Sequence, residues 1–207
     1  GAGKTAICAE LLQRSNPKFA ILNKKKVDSK DPILSKRISA LRELIWDGER
    51  NASDNAAEEG FSKFLMIAAF YTLIVKEMKH RLVEDDRIWV VDGWWPRHLV
   101  KTALRTGHRS ETLMTILGDI PKMFNVQHML LDVSPARAFD RKKSFENHEC
   151  GFWDGFTSLG RRNGYVAYQS AIFEGLKALP INWKTLHPMP HQTPADLSTQ
   201  LEDLMFK

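Results

Sequence analysis

Short strand-like runs, two of them (19–22 and 88–91) apolar at every position, alternate along this chain with longer segments whose apolar residues recur every three or four positions. The runs cover residues 19–22, 88–91, 126–131 and 181–186. A strand that is apolar at every position is buried on both faces, and helices between such strands are what covers those faces. The connections are long enough for right-handed crossovers. The expectation is therefore an α/β fold with a doubly wound parallel sheet and helices on both faces. No linker interrupts the pattern, so residues 1–207 read as one domain. The chain is 43% hydrophobic and 27% charged, a balance that excludes general disorder.

The helical segments have recognisable ends. One starts at Gly3-Lys4-Thr5 and runs to about Arg14, where Ser15-Asn16-Pro17 ends it. After Pro32, Leu34, Ile38, Leu41 and Ile45 line one face, and Gly48 caps the end. A polar loop over 49–57 leads into a long helix over about 58–84. Its continuous apolar stretch, 64–75, reads as a buried helix. That stretch is too short to span a bilayer, and Lys63 and Lys76 flank it. Helix continues over about 97–118, divided near Gly107. Ser134-Pro135 pairs an N-cap with a proline at the first helical position. A loop over 144–156 precedes a helix over about 159–178. Thr193-Pro194 opens the last helix, with Asp196 placed to complete a capping box.

The chemistry begins at the first residue. Gly1-Ala2-Gly3-Lys4-Thr5 is the second half of the phosphate-binding string G-x-x-x-x-G-K-[ST]. Glycines let backbone N–H groups close on phosphate oxygens, and the helix that follows presents its positive end to them. Gly1, Ala2, Gly3, Lys4, Thr5 and Ala6 are thus the expected nucleotide contacts. Lys4 reaches the β- and γ-phosphates, and the Thr5 hydroxyl ligates Mg²⁺. The competing reading is a chance glycine-rich turn. The apolar strand ending at Asp92 weighs against it, because a strand-end carboxylate is the usual second ligand of the nucleotide's Mg²⁺. A strand and the loop's first glycine are expected upstream of Gly1.

The net charge of +5 fits either a nucleic-acid surface or a cleft for phosphorylated small molecules. No nucleic-acid motif is present, so the small-molecule reading is preferred and no nucleic-acid or membrane partner is expected. Cys8 and Cys150 form no close pair, as in a reduced, cytoplasmic protein. His187 and His191 are four residues apart, but Pro188 and Pro190 lie between them. They read as loop residues rather than as a helical metal site.

Taken in order, these segments resemble thymidylate kinases of the P-loop nucleotide kinase group over nearly the whole chain. Gly1-Ala2-Gly3-Lys4-Thr5 is similar to that family's loop. Ala68-Ala69 lies where the family has an Ala-Ala-Asp-Arg-like stretch. Asp92-Gly93-Trp94 lies where it has Asp-Arg-Tyr, and residues 130–135 are similar to its Leu-Asp-Val-Pro-Pro turn. Residues 137–165 look like its mobile lid and the helix after it, with the lid proper at about 141–158. The resemblance implies a P-loop kinase fold, ATP and Mg²⁺ as donor and cofactor, and allows a homodimer. Its loops that lack an arginine just before Ala-Gly-Lys usually go with a basic lid, and this chain has Gly1 at that place. Arg137, Arg141, Lys142, Lys143, Arg161 and Arg162 supply the cations. A closing cationic loop stabilises charge on a transferring phosphoryl group. A solvated basic helix face is the competing reading.

The departures fall on the acceptor side. The family's Arg-Glu-Pro becomes Asn23-Lys24-Lys25-Lys26, Asp-Arg-Tyr becomes Asp92-Gly93-Trp94, and its thymine-reading arginine falls at Tyr71, between Phe70 and Leu73. The expected roles are then as follows. Lys4, Asp92, Arg141 and Arg161 are catalytic, with Asp92 also a metal ligand beside Thr5. Tyr71, Trp94, Arg97 and Tyr165 hold a small-molecule acceptor, and Trp94 and Trp95 offer faces for stacking. Asp132 reads as structural. The expected activity is phosphoryl transfer from MgATP to a nucleoside monophosphate through an altered acceptor site. The alternatives are a kinase of a nucleoside or other small hydroxylated metabolite, and a nucleotide-binding pseudoenzyme.

Overall fold

The computed structural model describes residues 3–13, 18–23, 26, 27, 29–47, 56–122, 126–142, 144–152, 154 and 156–206. Gly1, Ala2, Lys24, Lys25, Gly48, Lys143 and the polar loop before residue 56 lie outside them. The described elements follow in order as α1 (Lys4–Gln13), β1 (Phe19–Leu22), α2 (Pro32–Arg42), α3 (Ala56–Glu84), β2 (Ile88–Val91), α4 (Trp95–Thr106) and α5 (Ser110–Leu117). Then come β3 (His128–Leu131), α6 (Pro135–Asp140), α7 (Arg161–Ala178), β4 (Trp183–Leu186) and α8 (Pro194–Met205). The mixed α/β class is as the alternation predicts. The chain folds as two compact units, one from residues 1–21 and 125–207, the other from residues 22–124.

The caps explain the boundaries. The Asp31 carboxylate accepts from the N–H groups of Ile33 and Leu34 and starts α2. The Ser134 hydroxyl accepts from the Arg137 N–H and starts α6. Thr193 and Asp196 form a reciprocal capping box at α8. Each pairing satisfies N–H groups that a helix start leaves without a partner. Gly107, at φ 71°, ends α4 in the left-handed conformation.

In the second unit, α3 is central and packs against α2 and α4. Phe64, Phe70, Tyr71, Ile74 and Val75 of α3 are fully buried. The helix is not apolar-buried all round, as its sequence suggests. Leu65 is 45% exposed, and Ala69 and Thr72 are exposed too. A helix packed on one side by two neighbours needs only a stripe of core residues. Beyond α2 the chain continues as a π-helical turn, Glu43–Asp47, which carries Trp46 to the Phe70 ring.

In the first unit, α1 packs on α8. Its buried residues are Ile7 and Leu11, and those of α8 include Leu197 and Leu201. β3 and β4 pair in parallel, with His128 opposite Trp183 and Leu131 opposite Leu186. The four described strands divide between two short two-stranded sheets, so no doubly wound sheet is seen among the described residues. The predicted strands 126–131 and 181–186 were longer than those found. Val126 is 38% exposed and lies, like Ile181, outside the ladder.

The segment expected to be a lid is packed onto α7. Val133, Ala138, Cys150 and Tyr165 form a buried cluster; Phe139 and Phe145 pack against it and stack on each other at 4.1 Å. The Gln169 side chain donates to the Glu149 carbonyl at 2.8 Å, and the Tyr168 hydroxyl donates to the Asp154 carboxylate.

Candidate functional site

At the residues expected to bind the donor, the local geometry follows from one glycine. Gly3 has φ 91°, a conformation open to glycine and costly for other residues. Its carbonyl accepts from the Ile7 N–H at 3.0 Å, closing the first turn of α1. Gly3, Lys4, Thr5 and Ala6 are all exposed, while Ile7 anchors the same turn in the core. The result is a helix start whose first four residues, Lys4 and Thr5 among them, lie at the surface. An anionic ligand suits such a terminus.

At the residues expected to hold the acceptor, in the other unit, β2 delivers Asp92 at its end. Gly93 then turns the chain at φ 74°. Trp94 is extended and precedes the first residue of α4. A side chain at position 93 would be strained there, which accounts locally for Gly93 where the resembled family has arginine. Asp92, Trp94 and Arg97 are half-buried. The Trp94 ring meets the Tyr71 ring edge-on at 4.6 Å.

Tyr71 itself is completely buried, and burial pushes its phenol far above the usual range. The tyrosine therefore supports Trp94 from beneath, and its hydroxyl lies off the surface. Trp95 is also buried, at 2% exposure. It offers no stacking face, because the first residue of α4 points into the core. Two neighbours were not foreseen. Trp46 lies 6.4 Å and Tyr71 lies 5.8 Å from the His98 ring. Periodicity assigns His98 to a helix; only the fold brings it to Trp46 and Tyr71.

The basic residues of 137–162 separate into distinct groups. Arg137 is committed to structure. Its guanidinium donates to the carbonyls of Pro188 and Met189 at 3.0 and 2.9 Å. Lys142 is paired with Glu149. Burial works to raise the Glu149 carboxyl, but the Lys142 ammonium and the Glu146 N–H outweigh it and hold it below the usual range. Arg162 lies 3.6 Å from Asp140 and over the Phe139 ring. Arg141 and Arg161 are exposed, at the end of α6 and the start of α7. Tyr165 is 5% exposed and packs edge-on to Phe139 and Phe145, so it sits in the core of the segment. Burial raises the Cys150 thiol despite Arg161 and Lys142 nearby.

A pair that the sequence reading treats separately meets at the strand ends. Asp132 follows β3 and His187 follows β4, and the His187 Nδ1 lies 3.0 Å from the Asp132 Oδ2. Register makes them neighbours, a relation that sequence spacing does not reveal. Among the described residues, no group of three or more His, Cys, Asp or Glu side chains could hold a metal ion by itself. No described helix is long and apolar enough to cross a membrane. No protein-family model matches the chain, and no curated protein matches it.

Proposed function

We propose that the chain is a P-loop phosphotransferase of the thymidylate-kinase type, using ATP with Mg²⁺. The observation that carries this reading is the exposed start of α1, where a left-handed glycine leads directly into Lys4 and Thr5. Gly3 lets the backbone N–H groups converge, and the Lys4 ammonium neutralises phosphate charge. Thr5 would hold the cation, which offsets charge on the phosphates when bound. Arg141 and Arg161 are the cations of their segment suited to the phosphoryl group, being exposed. Asp92, at a strand end, would orient the acceptor oxygen. Little covalent help is needed, because phosphoryl transfer passes through a loose transition state that depends on positioning. ATP consumption by the chain, screened against nucleosides, monophosphates and small alcohols, tests the reading. Absence of turnover and of ATP binding overturns it.

A second reading, a changed acceptor within the same chemistry, is favoured by the burial of Tyr71 beneath Trp94. A thymine edge needs polar partners, and sites built on such hydrogen bonds discriminate strongly. Here Phe70 and Tyr71 are both fully buried and Gly93 carries no cation. The half-buried Trp94 offers a ring face instead. The expected outcome is that dTMP gives a lower kcat/KM than the best acceptor in the panel. If dTMP is the best acceptor, the original family substrate is retained.

A further inference from the structure

Outside the residues assigned above, one cluster is built like a reactive centre. We propose that His187 is a phosphoryl-accepting side chain, with Nε2 as the nucleophile and Asp132 as its positioning residue. The two sit side by side because β3 and β4 run parallel. The Asp132 N–H donates to the Leu186 carbonyl at 2.8 Å, carrying the ladder one step past its last residue pair. Ligands of α/β proteins gather at this carboxyl edge of parallel strands.

The chemistry follows from the hydrogen bond. A carboxylate only accepts, so Nδ1 is the donor at 3.0 Å, and the neutral ring keeps its lone pair on Nε2. The His187 side chain is 68% exposed, against 39% for Asp132. The nucleophile is therefore open to an incoming group while its orienting partner is half covered. The loop after His187 is held from two sides. Arg137 donates to the carbonyls of Pro188 and Met189, and the Gln192 side chain accepts from the Met189 N–H at 2.7 Å. That scaffolding fixes the backbone next to an exposed imidazole, which packing alone does not require.

In the step itself, the Nε2 lone pair forms an N–P bond as the donor's bond from phosphorus to its leaving group breaks. The leaving group takes that electron pair. The ring becomes cationic, the Asp132 carboxylate offsets the charge, and the Nδ1 proton is then released to water. A loose transition state asks for a positioned lone pair more than for a strong base. The donor class is an activated phosphoryl compound. Its identity as a nucleoside triphosphate rests on the proposed function, whose phosphate-binding residues belong to the same compact unit.

The test uses the full chain and two donors. Phosphoramidate, which loses ammonia and needs no nucleotide site, is supplied in one arm and MgATP in the other. Acid-labile, alkali-stable phosphate is then mapped by mass spectrometry. The expected result is labelling of His187 by phosphoramidate on the order of tenfold faster than the exposed His191, with a similar loss in Asp132→Asn, less than the roughly 10²–10⁴-fold of a full general acid or base because Asp132 only positions the ring. Labelling of His187 no faster than His191 in the unaltered chain overturns the proposal, as does a ratio unchanged in a folded Asp132→Asn variant. Labelling by phosphoramidate but not by MgATP keeps His187 as an acceptor and rejects the nucleotide as its donor. ATP consumption, measured separately, reports on the proposed function itself.

Discussion

Lys4 is exposed and lies one residue after the left-handed Gly3, so its removal affects charge rather than core. Lys4→Ala is expected to lower phosphoryl-transfer turnover by roughly 10²–10³-fold, as for loss of one charge-stabilising donor. Its thermal midpoint should stay that of the parent chain. ATP turnover and a melting curve on the same sample check both halves. A second residue reports through pH. Burial lowers the pKa of His128, whose ring meets Trp183 edge-on at 5.5 Å. The unfolded chain then binds the proton more readily, so stability is lost as pH falls from the ordinary histidine range through the lowered value. His128→Phe keeps the ring contact and should shrink the loss of melting temperature between pH 7.5 and 5.5. An unchanged pH profile would remove His128 from the explanation. At this scale the helix start at Lys4 was legible, because a glycine just ahead of a helix-forming run carries its reason locally. Tyr71 and Trp95 were not. Sequence shows a polar ring tip or a large face, and only packing decides whether either reaches the surface.

Elements were legible wherever a cap or a breaker marks their ends. Ser134 and Thr193 each accept the N–H groups that their position in the sequence suggests, and Asp31 caps α2 just ahead of Pro32. Pairing was harder to read, since four-residue strands carry too little pattern to say which neighbour they choose. The basic segment after α6 shows a further gap. Its cations suggest a solvated lid, yet phenylalanines and tyrosines dock it on α7. Gly151 gives a direct test of that docking. It has φ 70°, and an added Cβ would lie 2.8 Å from the Tyr168 Cγ and 2.9 Å from the Phe156 Cδ2. Gly151→Ala combines left-handed strain of about 1–2 kcal/mol with overpacking of about 1–3 kcal/mol. A fall of roughly 2–5 kcal/mol in urea-unfolding stability is expected from those two costs. A loss below about 0.5 kcal/mol, the usual range of surface substitutions, would show that the segment is not docked in solution.

For the whole molecule, the informative quantity is how far a bound nucleotide stabilises the chain. Saturation to 100 times the dissociation constant adds about 2.7 kcal/mol to a native state that alone binds. For a chain of this size that corresponds to a melting shift of roughly 5–11 °C. MgATP should produce the shift, and Lys4→Ala should abolish most of it at the same concentration. Hydrogen exchange should show the added protection at the start of α1. Protection confined to residues 22–124 would place the nucleotide elsewhere.

The division into two units also sets an order of construction. Residues 22–124 can close their core as soon as that stretch has left the ribosome. α1 is made earlier but cannot be completed then, because α8, the helix it packs on, starts at Pro194. Long-range closure of this kind is slow and leaves apolar surface waiting. Ile7 and Leu11 thus stay uncovered until α8 is made, and the helix that carries Lys4 is secured only then. Any lesion that removes the stretch from Pro194 onward would loosen α1 from a distant part of the sequence.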